Sequence, residues 1–462
     1  MMDFLRETFY YISIFYIAYL VLFATFSFSA VLVGAYRLHT GSRRDRLKNK
    51  LHYNDLPVSV LIPAHNEAVT VVSSVKSLLN LDYNLYEIIV IDDGSEDDTS
   101  QKLIDEFDMK LVNRPINREL ECKPEEAIYE NMVNGISLTL IRKENGGKGD
   151  ALNMGINASR HQYFLCMDAD SKLQRDSLKE IVGPIFEDDT IIAVGGMLLI
   201  SQCAQAENDK VVRYSLPSNF LVCMQAVEYH RSFLASRTLM DSFNGNLIIS
   251  GAFGLFEKSK VVGAGGYSSD NLGEDMELVL KLHGYCNNNG IKYRMRYQPS
   301  AICLTQAPES FIDLSKQRRR WHIGLFQSML VHRRIIFNLR FGLVSLFSYL
   351  YYLMYELLSP VIEVFGIVTV LVASLYLDVL NVGFMITFFI IYAIFGTIVS
   401  MNAFSQQIYV QKIRVSFKDM IKTLILCVVE FVFFRYILVV VRFVAFLRYG
   451  KNKDTWGKIK RV

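Results

Sequence analysis

Residues 9–36 run for 28 positions without a charged side chain, and Arg37, Arg43, Arg44, Arg46, Lys48 and Lys50 follow at once. A run of that length exceeds a signal-peptide core, and no small-residue cleavage site ends it, so it reads as a retained transmembrane helix. Positive charge beside a span marks its cytoplasmic side. The first span is therefore expected to run outside to inside, with the following residues in the cytosol.

The rest of the 462-residue chain divides around that constraint. Hydrophobic residues make up 51%, with 31 Phe and 25 Tyr, which favours a membrane protein. A net charge of +3 is too small to argue for nucleic acid as a partner. Seven scattered cysteines form no Cys-x-x-Cys pair, so reduced, buried thiols are expected rather than disulfides or a zinc site.

Residues 56–305 alternate short apolar strands with amphipathic stretches. Val58-Ser59-Val60-Leu61-Ile62 and Glu87-Ile88-Ile89-Val90-Ile91 are β-branched runs ending in polar turns, and helical periodicity covers 66–80 between them. Strand, helix, strand at this spacing predicts a doubly wound parallel sheet, with ligands at the carboxyl ends of the strands. From Phe341 the chain is apolar again. Spans are expected at 343–376 and 382–402, and Lys412, Arg414, Lys418 and Lys422 put the next connection on the cytoplasmic side. The stretch 421–449 carries Glu430, Arg435 and Arg442, each costing about 2.5–3.5 kcal/mol at mid-bilayer. It reads as interfacial, re-entrant or channel-lining. The expected divisions are 1–50 (first span and basic flank), 51–308 (catalytic domain), 309–342 (amphipathic interfacial helices), 343–449 (membrane helices) and 450–462 (cytosolic tail).

Six motifs carry chemistry. Pro63-Ala64-His65-Asn66-Glu67 and Asp92-Asp93-Gly94-Ser95 close two strands, where side-chain oxygens can hold a nucleoside; Asn66 and Ser95 also suit helix capping. Asn145-Gly146-Gly147-Lys148-Gly149-Asp150 lets backbone approach a ligand, with Lys148 against a phosphate, although the spacing is not that of a P-loop. Tyr163-Phe164-Leu165-Cys166-Met167 runs straight into Asp168-Ala169-Asp170, two hard oxygen donors for Mg2+ or Mn2+ with room for a diphosphate. Gly273-Glu274-Asp275 opens an amphipathic helix; a carboxylate there can take a proton from an acceptor hydroxyl, or simply favour the helix N-terminus. Gln317-Arg318-Arg319-Arg320-Trp321 offers guanidinium groups to a leaving diphosphate and an aromatic platform to a sugar ring, on a segment (309–335) that also suits lipid headgroups.

In this order the motifs resemble processive family-2 membrane glycosyltransferases, the cellulose, hyaluronan, chitin and poly-N-acetylglucosamine synthases, over roughly residues 55–330. The resemblance implies an α/β GT-A fold (Rossmann-like, mixed sheet) carrying transmembrane and interfacial helices, a UDP-sugar donor and an inverting mechanism. It further implies that Asp275 is the catalytic base and that Asp168 and Asp170 hold the metal. Ala64, Glu67, Asp93, Lys148, Asp168 and Arg320 would contact the donor; Gln317, Trp321, Gly251 and Glu274 would contact the acceptor. The tail, with Trp456 and Lys458, is similar to a C-terminal gating segment, though the Trp-Gly-Thr-Arg form is not reproduced.

The segment 113–138 is a longer, acidic insertion than a compact relative needs. No cyclic-dinucleotide-binding domain follows the last apolar stretch, so regulation of that kind, or export of product, would call on a partner protein. The expected activity is polymerisation of a β-linked polysaccharide at the cytoplasmic face of the plasma membrane, with the nascent chain exported through the enzyme's own multi-pass channel. UDP-glucose and a cellulose-like or mixed-linkage β-glucan are favoured. The alternatives are a poly-N-acetylglucosamine or hyaluronan-type synthase using UDP-N-acetylglucosamine, and a non-processive transferase to a lipid acceptor. A transporter or channel with a regulatory domain is disfavoured by the ordered acidic motifs.

Overall fold

The computed structural model describes residues 2–48, 56–376 and 382–449. Helix α1 (Met2–Lys48) includes the long apolar run. Next, β1 (Val58–Ala64), α2 (Val71–Leu79) and β2 (Tyr86–Asp93) form the unit that the sequence predicts, with β1 and β2 parallel from Val58↔Tyr86 to Ala64↔Asp92. Every residue of β2 is buried, as a strand covered on both faces requires. α2 buries Val71, Ser74, Val75 and Leu78, one stripe at helical spacing.

After α3 (Thr99–Glu106), the strands β3 (Lys110–Val112), β4 (Glu125–Val133) and β5 (Ile136–Lys143) extend the sheet to one edge. The acidic insertion is thus mostly an edge hairpin. Asn134 and Gly135 both have positive φ, 52° and 80°, as a two-residue turn matched to the twist of a hairpin demands. α4 (Lys148–Ala158) then leads into β6 (Tyr163–Met167), which pairs in parallel with the opposite side of β1. The sheet therefore reverses its direction of growth at β1, and a crevice opens outside the carboxyl ends of β1, β2 and β6.

The chain continues through β7 (Lys172–Leu173), α5 (Ser177–Val182), β8 (Ile191–Ile200), β9 (Ala204–Glu207) and β10 (Lys210–Tyr214). Helices α6 (Phe220–Arg231) and α7 (Arg237–Ser242) precede β11 (Phe253–Glu257), α8 (Lys258–Gly263), α9 (Glu274–Asn288), β12 (Arg294–Thr305) and α10 (Phe311–Val331). Ten strands form one mixed sheet in the order β3-β4-β5-β2-β1-β6-β11-β8-β12-β7. β11 runs antiparallel to both neighbours, so the sheet that begins with the parallel strands β1 and β2 is mixed, as the GT-A resemblance implies. Core side chains pack on both faces of this sheet.

Among the described residues, three helical stretches, 7–37, 389–411 and 417–447, are long and apolar enough to cross a membrane; a fourth candidate is bent. Over the span expected at 343–376 the chain forms two helical segments, 344–357 and 359–374, meeting at 51°. The break falls at Leu358–Ser359, just before α11 (Ser359–Tyr376), because Pro360 has no N–H and its ring opposes helix in the residues before it. Leu358 donates its N–H five residues back, to the Leu353 carbonyl at 2.9 Å.

α12 (Val382–Gln411) is followed by β13 (Arg414–Val415), which joins β10 and β9 in a small second sheet. The basic connection after α12 therefore sits against the same domain as the catalytic motifs. α13 (Phe417–Val429) and α14 (Arg435–Leu447) continue through a π-helical turn at 430–434. At one end, Lys422 donates to the Pro217 carbonyl at 2.8 Å; at the other, Phe446 packs on His322 and Phe326 of α10. The helix thus touches the domain near both of its ends.

Candidate active site

Every motif but Gln317–Trp321, which lies within α10, is placed by a strand end or a helix start. At the end of β2, Asp93 turns inward. Its Oδ1 accepts from Lys143 Nζ at 2.7 Å and from the Gly146 amide at 2.9 Å, and its Oδ2 accepts from the Gly147 amide at 2.8 Å. Asp93 thereby fixes the glycine loop from which α4 and Lys148 emerge. His65, next to Ala64 at the end of β1, contacts the Asp93 carbonyl through Nδ1 at 3.0 Å. Glu67 accepts from Thr70 Oγ1 at 2.8 Å, and its amide donates to Thr99 Oγ1 at 2.9 Å.

Beyond the end of β6, Asp168 and Asp170 face a cavity of about 450 Å³. Lys148 reaches the same place from the start of α4. Its ammonium lies 2.5 Å from Asp168 Oδ1 and 3.5 Å from Glu274 Oε1. Burial opposes the charge on Lys148, but Asp168 and Glu274 outweigh it, and the net shift is upward. Burial raises the Glu274 carboxyl; Lys148 draws it down and Asp275 pushes it up again. Asp275 accepts from the Gly251 amide through Oδ2 at 3.3 Å and from the Met276 amide through Oδ1 at 2.8 Å. Gly251 leaves room for Lys148: a β-carbon there would stand 3.1 Å from its Nζ, and the lysine tip would have to shift by a few tenths of an ångström.

The Gln317–Trp321 motif comes from α10, held against the start of α9. The Leu272 amide donates to Gln327 Oε1 at 2.9 Å and Asn271 Nδ2 donates to Ser328 Oγ at 3.2 Å. Arg318 stacks its guanidinium 4.4 Å over the Trp321 ring and donates to Glu228 Oε2 at 2.7 Å, leaving Trp321 39% exposed and facing the cavity. Gln317 Oε1 is buried without a hydrogen-bond partner.

Lys148, Asp168, Asp170, Gly251, Glu274, Asp275, Gln317, Arg320 and Trp321 thus border one cavity. Ala64, Glu67 and Asp93 do not border it; they lie at the neighbouring strand ends. Trp456 and Lys458 fall outside the described residues. Among the described residues no group of three or more His, Cys, Asp or Glu side chains is arranged to hold a metal. Two carboxylates over open space nonetheless suit a hard divalent ion that takes its remaining ligands from phosphate and water.

The family model for glycosyl transferase family group 2 matches residues 163–400, just over half the chain, and the model for glycosyl transferase family 2 matches residues 59–121. The chain belongs to glycosyl transferase family group 2. This group-2 glycosyltransferase is 30% identical over 270 residues to poly-beta-1,6-N-acetyl-D-glucosamine synthase of Staphylococcus aureus (strain COL), covering 58% of this chain and 54% of that one. It is 29% identical over 285 residues to the synthase of the same name from Staphylococcus epidermidis, covering 61% and 57%. The chain spans about half the length of the curated relatives it matches. Among solved structures, a mannosyltransferase from Pyrobaculum calidifontis in complex with GDP-Man and Mn2+ shares the fold, with a TM-score of 0.51 at 17% identity over 89% of this chain and 99% of that one.

The cavity of this glycosyltransferase extends well past the motifs. It continues along Glu228, Arg231, Tyr351, Tyr355, Glu356, Glu363, Glu430, Arg435 and Arg442, reaching Phe23 and Ser27 on α1. These charged side chains are paired with one another. Arg231 binds Glu430 through two hydrogen bonds of 2.8 and 3.0 Å, and Arg435 donates to Glu363 at 2.6 Å and to Tyr392 Oη at 3.1 Å. Arg442 lies 3.8 Å from Glu228 and 3.9 Å from Glu356. Glu430, Arg435 and Arg442 are conspicuous in an apolar stretch; Glu228, Glu356 and Glu363 are the partners that sequence reasoning missed. A lone acid inside an apolar segment was the available signal for Glu356 and Glu363.

Proposed function

We propose that this chain is a membrane-embedded synthase that transfers N-acetylglucosamine from UDP-N-acetylglucosamine to a growing β-linked polysaccharide. The observation that carries the reading is the single cavity that begins at Asp168, Asp170 and Asp275 and continues between the apolar helices to Glu363 and Arg435. A site that only attached one sugar to a soluble acceptor would need no such extension. The preference for UDP-glucose and a β-glucan finds no support in the relatives, whose names specify a poly-N-acetylglucosamine product; the N-acetylglucosamine alternative replaces it. The apolar helices, with β13 fixed to the domain, support a multi-pass plasma-membrane protein whose catalytic domain is cytoplasmic.

In this reading Asp275 takes the proton from the acceptor hydroxyl. The freed oxygen attacks C1 of the donor sugar from the face opposite the diphosphate, the C1–O bond to phosphate breaks, and its electron pair leaves with UDP. The anomeric centre inverts. The Gly251 amide and the first turn of α9 hold the Asp275 carboxylate as an acceptor, which suits a base. Lys148 and Arg320 stand where negative charge grows on the leaving diphosphate. Mg2+ or Mn2+ bound by Asp168 and Asp170 would supply further neutralisation of that charge. Trp321, braced by Arg318, presents a flat apolar surface for the acceptor sugar.

The test is to give purified enzyme a panel of radiolabelled UDP-sugars and size the products. UDP-N-acetylglucosamine alone should give high-molecular-weight material that a β-N-acetylglucosaminidase degrades. Incorporation of glucose instead, or a product of one sugar on lipid, would reject the reading.

A further inference from the structure

We infer that Lys148 is a built-in stand-in for the divalent cation: its ammonium neutralises Asp168 until a metal–nucleotide arrives, then moves onto the diphosphate. The inference rests on the donor site proposed above and adds to it an order of binding.

Three features of the geometry point to this exchange. Lys148 Nζ lies 2.5 Å from Asp168 Oδ1, so a divalent cation drawn to that carboxylate would compete with the ammonium for it. The ammonium is confined rather than loose. Gly251 leaves a notch in which a β-carbon would come within 3.1 Å of Nζ, and Glu274 Oε1 closes the other side at 3.5 Å. The root of the side chain is fixed as well, because Asp93 holds the Gly146 and Gly147 amides immediately before α4. Only the flexible four-carbon stem is left to move.

The charge balance then favours a concerted exchange. With the Lys148 ammonium paired to Asp168, the site offers a bare divalent ion less negative charge than its carboxylates alone would, and the ammonium repels it at contact distance. A nucleoside diphosphate changes both terms. Its oxygens complete the coordination of the metal, and they give Lys148 an anionic partner to replace Asp168. Metal and nucleotide should therefore bind cooperatively, each raising the affinity for the other by the same factor. Departure of the ammonium also removes the cation facing Glu274, next to Asp275, so donor binding changes the electrostatics at the base.

The experiment measures Mn2+ binding to the purified full chain in detergent, by electron paramagnetic resonance of free Mn2+, with and without UDP. Wild type should bind Mn2+ alone weakly and much more tightly with UDP. Lys148→Met and Lys148→Gln should each bind Mn2+ alone about ten-fold tighter than wild type or better, with UDP adding less than it adds to wild type. Two substitutions of different polarity keep the test independent of one variant's folding. Should both variants bind Mn2+ alone no better than wild type, while Asp168→Asn abolishes UDP-dependent Mn2+ binding, the stand-in role is wrong and the metal site remains. Should Asp168→Asn bind Mn2+ and UDP like wild type, the donor-site reading itself falls.

Discussion

Gly273 and Gly324 meet backbone to backbone: a β-carbon on Gly324 would lie 2.5 Å from the Gly273 amide nitrogen, and one on Gly273 would lie 2.9 Å from the Gly324 carbonyl carbon. This contact sets α10 against the start of α9, and with it Gln317–Trp321 beside Asp275. Backbone atoms cannot step aside as a side-chain tip can, so Gly324→Ala must push the helices apart. The expected destabilisation is about 1–3 kcal/mol. UDP release should fall further than stability alone explains, because Trp321 moves relative to Asp275. Thermal melting and UDP release on the same preparation check this.

Asp275→Asn keeps the size of the side chain and its contact with the Gly251 amide but removes the proton acceptor. Sugar transfer should drop by roughly 10²–10⁴-fold, with UDP binding and melting temperature close to wild type. Activity within a few-fold of wild type would move the role of base to another group.

The ion pair between Arg231 and Glu430 sits in the cavity wall with the Glu430 side chain only 2% exposed. Removing one partner strands a buried charge. Arg231→Met should therefore destabilise by about 3–5 kcal/mol, and the double change Arg231→Met, Glu430→Leu by clearly less. Melting temperatures of the two variants in one detergent compare them; a double variant as damaged as the single one would mean that the pair is not acting through charge.

Burial holds the His230 imidazole down at about 3, against 6.5 in an unstructured chain. Between those values the unfolded chain binds a proton that the folded chain refuses, so stability rises with pH across this window and is lost on acidification below about 6.5. The slope for one such group is about 1.4 kcal/mol per pH unit. His230 stacks on Phe404 at 5.8 Å and faces Tyr214 at 5.6 Å, and its Nδ1 has no hydrogen-bond partner. His230→Phe should fit there and flatten the pH dependence of melting between pH 4 and 6.5. An unchanged slope would mean that this histidine takes its proton in the folded state.

What the sequence revealed and what it hid follow one physical division. The strands β1, β2 and β6 were legible because buried parallel strands are largely apolar, and Asp93 and Asp168 mark where β2 and β6 end. The Asn134-Gly135 turn carried its own signature, yet 113–138 read only as an insertion, because an edge hairpin half exposed to water has a weak pattern. Pro360 was visible, but its effect, a 51° break in what reads as one apolar run, depends on whether neighbouring helices hold the chain straight. The part that Asp93 plays in holding the glycine loop was out of reach, because it depends on Lys143, Gly146 and Gly147 arriving from another strand. The deep wall of the cavity was out of reach for the same reason: Glu363 gains meaning only beside Arg435, 72 positions later.

If one cavity serves both sugar transfer and passage of the product, blocking it at Ser27 on α1, which also lines it, should stop the polymer. The measurement is the size of the radiolabelled product made from UDP-N-acetylglucosamine by Ser27→Trp, at a melting temperature matched to wild type. A plug at that point should leave the first transfers and their UDP release intact and stop elongation at short oligosaccharides. Polymer of wild-type length from the plugged enzyme would show that the product leaves by another route, and would contradict the account.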